Sequence, residues 1–255
     1  MVFYRIIILC ALMLGNLKVF SQPVITDTTL KTTTAIAALQ LYQNAMSAQL
    51  KLYNGPEYKY ENPNIKGSPF FIESNEWQKG TVVYDDAVYQ NVSMRYDLFK
   101  DELVVLHYTG VSPFHLIKDK VSHFDFDQHN FTHVKIKEAT TRGISSGYYE
   151  VLYEGSITIL AKYNVIKQAQ VGTQTGSVYG EFVHSTRYFV LVNNQYEDFK
   201  KPSALTGILE DKKEELRRFI KVNKIDTKNN PKESIAIIAA EYDRLKTLDE
   251  KNLLK

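Results

Sequence analysis

From Phe70 to Phe199 apolar and polar residues alternate, and Asp, Asn, Gly or Lys interrupts the alternation every few residues. A period of two sends successive side chains to opposite faces of a pleated strand, whereas a helix buries a face at three- and four-residue spacing. The stretch GTVVYDDAVYQNVSMRYDLFKDELVVLHY, residues 80–108, shows the pattern most clearly. The spacing predicts short strands at 70–72, 79–84, 87–96, 102–109, 114–117, 121–126, 131–136, 148–153, 156–168, 181–192 and 195–199. Turn-forming pairs separate them, among them Asp85-Asp86, Glu154-Gly155 and Asn193-Asn194. Connections this short join antiparallel neighbours. The expectation is an up-and-down β-meander over 70–199 with about nine to eleven strands, either a curved sheet or an open barrel.

Within that stretch tyrosine twice precedes aspartate, at Tyr84-Asp85 and Tyr96-Asp97. Such a row could be a set of ligand-binding aromatics and carboxylates. Strand and turn chemistry already account for it, because tyrosine suits a half-buried pleat and aspartate suits a turn. Val88, Val92, Met94 and Tyr96 do not demand a ligand. The chain's 17 tyrosines fit a β-rich protein.

The flanks read as helix. Ile36, Leu39, Tyr42, Met46, Leu50 and Tyr53 recur at three and four, predicting a helix over 34–53 with one apolar stripe that needs burial. Asn54-Gly55-Pro56 ends it, and 56–69 reads as loop. After the meander, Ser203 is placed to cap a helix that runs on through the charged segment 211–220. Asn230-Pro231-Lys232-Glu233 opens a last helix with Ile235, Ile238, Tyr242 and Leu245 as its buried stripe. The fold class is α+β: one domain over 34–255, with helices within 203–248, preceded by a polar leader at 22–33.

Residues 1–21 read as a secretory signal peptide. Arg5 precedes the apolar run Ile6 to Leu14, and Val19 and Ser21 suit cleavage before Gln22. Gly15, Asn16 and Lys18 break the run short of the ~20 apolar residues a membrane span needs. The expected location is the periplasm or cell envelope, with no transmembrane span in the mature chain. Cys10, the only cysteine, falls inside the signal, so the mature chain has no disulfide and no thiol ligand. Cleavage removes Arg5 and Lys18 and leaves 29 basic against 29 acidic residues. That balance argues against a nucleic-acid partner, which calls for a basic face.

Leu52-Tyr53-Asn54-Gly55-Pro56-Glu57-Tyr58, the alternating stretch Gly80 to Val105, and Glu241-Tyr242-Asp243-Arg244-Leu245 together resemble uncharacterised exported Bacteroidota proteins. The resemblance spans most of the mature chain. It implies envelope location and a shared helix, meander, helices architecture, and it supplies no catalytic residues.

One segment has metal-ligand composition: His123-Phe124-Asp125-Phe126-Asp127-Gln128-His129, with His133 beyond it. On a strand His123, Asp125 and Asp127 share a face opposite Phe124 and Phe126, and imidazole with carboxylate suits zinc or manganese. A half-buried strand followed by a turn explains the same residues. With residues 127–130 as a four-residue loop, Phe126 pairs with Phe131 and His123 with Val134. That register puts His123 and His133 on opposite faces and argues against a metal site. No nucleophile turn or phosphate loop is present, and an acid pair such as Glu150 with Glu154 is expected by chance among 29 acids. The expectation is a non-enzymatic exported protein, without a cofactor, that binds an apolar ligand or an envelope protein. The alternative is a hydrolase or metal-dependent enzyme using His123, Asp125, Asp127 and His129.

Overall fold

The computed structural model describes residues 51–136, 143–171 and 178–253, with Ile36, Ala38, Leu39, Leu41 and Tyr42 from the segment before them. Residues 48–255 form one compact unit, grouped apart from 1–47. Its eleven strands are β1 (Ile65–Lys66), β2 (Gln78–Tyr84), β3 (Ala87–Asp97), β4 (Glu102–Leu106), β5 (Pro113–His115), β6 (Val121–Phe126), β7 (His129–Val134), β8 (Gly147–Glu154), β9 (Thr158–Val171), β10 (Val178–Val192) and β11 (Gln195–Phe199). Three α-helices follow among the described residues: α1 (Pro202–Ile208), α2 (Lys213–Val222) and α3 (Pro231–Leu253).

All the strands belong to one open, mostly antiparallel sheet in the order β1-β10-β9-β8-β7-β6-β2-β3-β4-β5, with β11 also on β10. The single meander expected from loop lengths is in fact two. β2 to β5 form the first and β6 to β11 the second, and they join where β6 pairs with β2. The connection at residues 116–120 is short, yet it does not join neighbours. Leu116 is buried and donates to Leu103 O at 2.9 Å, and Lys120 O accepts from Asp85 N at 2.8 Å. The chain therefore crosses the end of the first meander and returns along the free edge of β2.

Residues 56–69, read as loop from their prolines, and Phe70-Phe71 after them reach both sides of the sheet. Tyr58 N donates to Pro113 O at 2.9 Å, β1 runs parallel to β10, and Phe71 N returns to Tyr96 O at 2.9 Å. From Tyr58 to Ile65 an extended chain covers about 25 Å. Eight strand spacings laid flat, from β5 to β10, would cover about 38 Å. The sheet must curl for this segment to span it. The strand expected at 70–72 is reduced to a single bridge between Phe70 and Asp97.

Turn chemistry behaves as its residues require. Asp85-Asp86, Asp127-Gln128 and Asn193-Asn194 all take positive φ at both positions, the geometry of tight two-residue hairpins. A bulge alters the reading of β3. Register shifts between Gly80 and Val82, and Asn91 takes φ 57. The extra residue flips the phase, so Val92, Met94 and Tyr96 point inward while Val88 is exposed and Tyr89 takes its place inside.

The inner face carries a continuous core. Phe124 stacks on its cross-strand partner Phe131 at 4.8 Å, and Phe71, Tyr96 and Tyr148 meet these rings edge-on. Leu205, Leu209 and Leu216, then Ile235, Ile238 and Tyr242 of α3, close over it. The α3 stripe is as the spacing predicts. The helix before it is not continuous: α1 ends at Ile208, where the ψ of 61 at the capping Leu209 breaks the turn, and α1 starts at Pro202 rather than at a Ser203 cap. Of the N-terminal helix, the five described residues are helical and Lys51–Tyr53 form a 3₁₀ turn; the remainder lies outside the described residues. Ile36, Leu39 and Tyr42 are each about half exposed, so the burial expected of this stripe is not met at those positions.

Candidate functional site

The hairpin at Asp127-Gln128 pairs Phe126 with His129, Phe124 with Phe131 and His123 with Thr132. The loop has two residues rather than four, so the register differs by two from the expected one. A shift of two preserves the faces. His123 and Asp125 stand on the outer face, Asp127 is exposed in the turn, and His129 and His133 are on the inner face with the phenylalanines. His133 Nδ1 donates to Val121 O at 3.0 Å, and burial lowers its pKa. The four candidates are thus divided by the sheet. Among the described residues no group of three His, Cys, Asp or Glu side chains is placed to hold a metal ion.

His129 instead meets an acid that sequence reasoning passed over. Its Nδ1 lies 2.5 Å from Glu150 Oε1. The other oxygen, Oε2, accepts from Tyr163 OH and from Lys232 Nζ, the latter at 3.0 Å. Four elements supply these groups: β7, β8, β9 and the first turn of α3. Glu150 is buried, while His129 and Lys232 remain partly open to solvent. Burial alone would raise the Glu150 pKa, but hydrogen bonds from His129 and Tyr163 and the charge of Lys232 bring it below the ordinary carboxylate value. Burial, and then the Glu150 charge, pushes the Tyr163 phenol upward. Phe71 closes the site, its ring edge-on to His129 at 4.7 Å. The carboxylate is held ionised with donors on both oxygens. It ties a helix to three strands, and both of its oxygens are engaged by donors of the protein itself. One signal for it was legible: Glu150 shares the inward phase of β8 with Tyr148, and an acid in an apolar phase needs partners.

A second, partly buried acid closes one end of the sheet. Asp101 accepts from Tyr96 OH at 2.5 Å, Lys162 Nζ at 2.7 Å and Lys118 Nζ at 2.8 Å. Gly147, at φ 151, leaves the room for this. A Cβ there would sit 2.5 Å from Asp101 Oδ2 and 2.7 Å from Lys162 Nζ.

On the outer face the register builds a charged row. Lys162 on β9 is the direct partner of Arg187 on β10. The β10–β11 ladder, with Tyr188 opposite Phe199, sets Lys200 level with Arg187. These three cations, with Ser145, Asn164 and Ser185, line a cleft of about 560 Å³. Tyr149 and Phe189 form its apolar floor, and they cluster with Ile144 and Leu160. Ser145 is pinned at its wall: its N–H donates to Tyr149 OH at 3.2 Å, and that hydroxyl donates to Ser145 O at 2.8 Å. Nothing in the sequence pattern singled out this row, because its members are 25 and 13 positions apart and meet only through register.

Comparison of the chain with protein-family models, with curated proteins and with solved structures finds no match.

Proposed function

We propose that this chain is an exported, non-enzymatic protein of the cell envelope that engages a partner protein through its outer surface rather than carrying an apolar ligand inside. The observation that carries this reading is the filled inner face. Phe124, Phe131 and Tyr148 are fully buried in one cluster with Leu205, Leu209, Ile235 and Ile238 of the helical segment. An apolar carrier keeps a concave lined cavity for its ligand, whereas here side chains of the protein's own helices occupy the apolar face of the sheet. The signal-like segment at 1–21 and the resemblance to exported Bacteroidota proteins support the location. The division of His123 and Asp125 from His129 by the sheet, and the committed oxygens of Glu150, favour binding over catalysis.

Two measurements test the reading. Mass spectrometry of the protein from its native host is expected to place the N-terminus near Gln22, and an intact Met1 on soluble cytoplasmic protein would remove the envelope assignment. A fluorescent fatty acid titrated into the purified protein is expected to show no saturable uptake. Uptake at one site per chain, displaced by unlabelled fatty acid, would restore the carrier.

A further inference from the structure

We propose that the outer cleft over β9, β10 and β11 is a binding site for a small polar molecule bearing an oxyanion, a carboxylate or a phosphate. This goes beyond the partner-binding reading and stands on different residues.

Lys162 and Arg187 are register partners on β9 and β10, and Lys200, one residue past the end of β11, lines the same cleft. Like charges directly opposite one another repel across a sheet unless something neutralises them. Lys162 is neutralised from within, by Asp101 at 2.7 Å. Arg187 is not: its Nε stands 3.9 Å from Asp198 Oδ2, a loose pairing between two side chains that are both about half exposed. Lys200 makes no hydrogen bond or ion pair among the described residues and is exposed. Two cations therefore face the cleft with much of their hydrogen-bonding capacity unspent. A guanidinium offers a planar fork to a carboxylate or phosphate, and an ammonium adds a mobile point charge.

The concavity matches the charge. A volume of about 560 Å³ lies within the range of small-molecule sites. Beside the cations it presents the amide of Asn164 and the hydroxyls of Ser145 and Ser185, groups that suit the hydroxyls of a polar ligand body. The apolar floor is closed, with Tyr149 and Phe189 almost wholly buried, so it offers little surface to an apolar ligand. Asp198 stands beside Arg187 as its resident counter-charge. An entering oxyanion replaces it at Arg187, so Asp198 weakens binding rather than creating it.

Isothermal titration calorimetry tests this with inorganic phosphate, glucose 6-phosphate and glucuronate at matched ionic strength, and with glucose as the uncharged control. The expected result is saturable binding of at least one anion at one site per chain, and none of glucose. The double variant Arg187→Gln/Lys200→Gln is expected to lose about tenfold or more in affinity, the loss of charge-assisted hydrogen bonds. Lys221→Gln, an exposed lysine on α2, should leave affinity unchanged. Asp198→Asn should tighten it. Circular dichroism melts confirm that each variant is folded. Preference for glucose 6-phosphate over glucuronate identifies a phosphate site, and the reverse a carboxylate site. The proposal is overturned if the folded wild type binds none of the three anions saturably, or if the double variant binds as well as the wild type.

Discussion

Glu150 shows how much of this protein turns on single side chains. It is buried, it faces an aromatic core, and it remains ionised because His129, Tyr163 and Lys232 all donate to it. Replacing it by Gln removes the charge and leaves Lys232 without its acid. The expected cost is about 2–3 kcal/mol, the scale of hydrogen bonds to a charged group, read from urea unfolding at pH 7. The pH dependence has a definite sign. The folded Glu150 pKa lies below the ordinary value of 4.5. Its contribution is therefore fully present above 4.5 and is lost as pH falls through the lower, folded value. Glu150→Gln should flatten that acid limb, and an unchanged limb would show that other carboxylates govern acid unfolding. The same scale separates what the sequence reveals from what it hides. Asp85-Asp86 and Asn193-Asn194 are legible because their conformation is decided locally by their own chemistry. Asp97 is only half legible. Its Oδ1 accepts from Phe99 N and Lys100 N, as a turn aspartate should, but its Oδ2 holds Tyr58 OH at 2.6 Å from 39 residues away. Glu150 and Lys232 are 82 residues apart, and no local pattern announces such a pair.

At the scale of the element, strand positions were nearly all readable, because alternation is a local property of each pleat. Their order was not. Connection length predicts adjacency, yet residues 116–120 carry the chain from the edge strand β5 to the far side of the first meander. What decides the matter is the free edge of β2, a property of the assembled sheet. The seam between β2 and β6 depends on Gly80. A Cβ there would lie 1.9 Å from the carbonyl oxygen of Asp125 and 2.9 Å from Phe126 Cβ. Backbone cannot step aside as a side-chain tip can. Gly80→Ala is expected to cost at least the ~1–3 kcal/mol typical of overpacking. Amides of β6 should lose protection from hydrogen exchange before those of β9 and β10, since the strain sits on that seam. Uniform protection with an unchanged melting temperature would mean that the seam tolerates the extra methyl. The bulge at Asn91 carries a similar lesson: one inserted residue reverses which of Val88 and Tyr89 is buried, and a strict period of two cannot register it.

For the molecule as a whole, the question is whether α3 is a permanent wall of the core or a cover that opens. Its inner stripe is fully buried at Ile235 and Ile238, and Ala239 lies with them against the sheet. Polar contacts tie it to the sheet at two separated points. Lys232 binds Glu150 near the start of the helix. Further along, Asp243 receives Tyr153 OH at 2.8 Å and Ser156 N at 3.0 Å from the β8–β9 turn. That second latch requires a bare backbone, since a Cβ on Gly155 would fall 2.0 Å from Asp243 Oδ2. A cover that opens draws on few apolar contacts and on bonds to solvent-exposed groups; α3 has a continuous apolar face with a tether at each side of it. It belongs to the same cooperative unit as the sheet. Ile238→Ala is therefore expected to cost about 2–5 kcal/mol in denaturant unfolding. Amide exchange along the middle of α3 should require global unfolding, with the same free energy as the central strands. If Ile238→Ala instead leaves stability near the wild type, and α3 amides exchange through a local opening well below the global value, α3 is a lid. The inner face of the sheet would then be available to a ligand after all, and the carrier would replace the outer-surface binder as the better account of this fold.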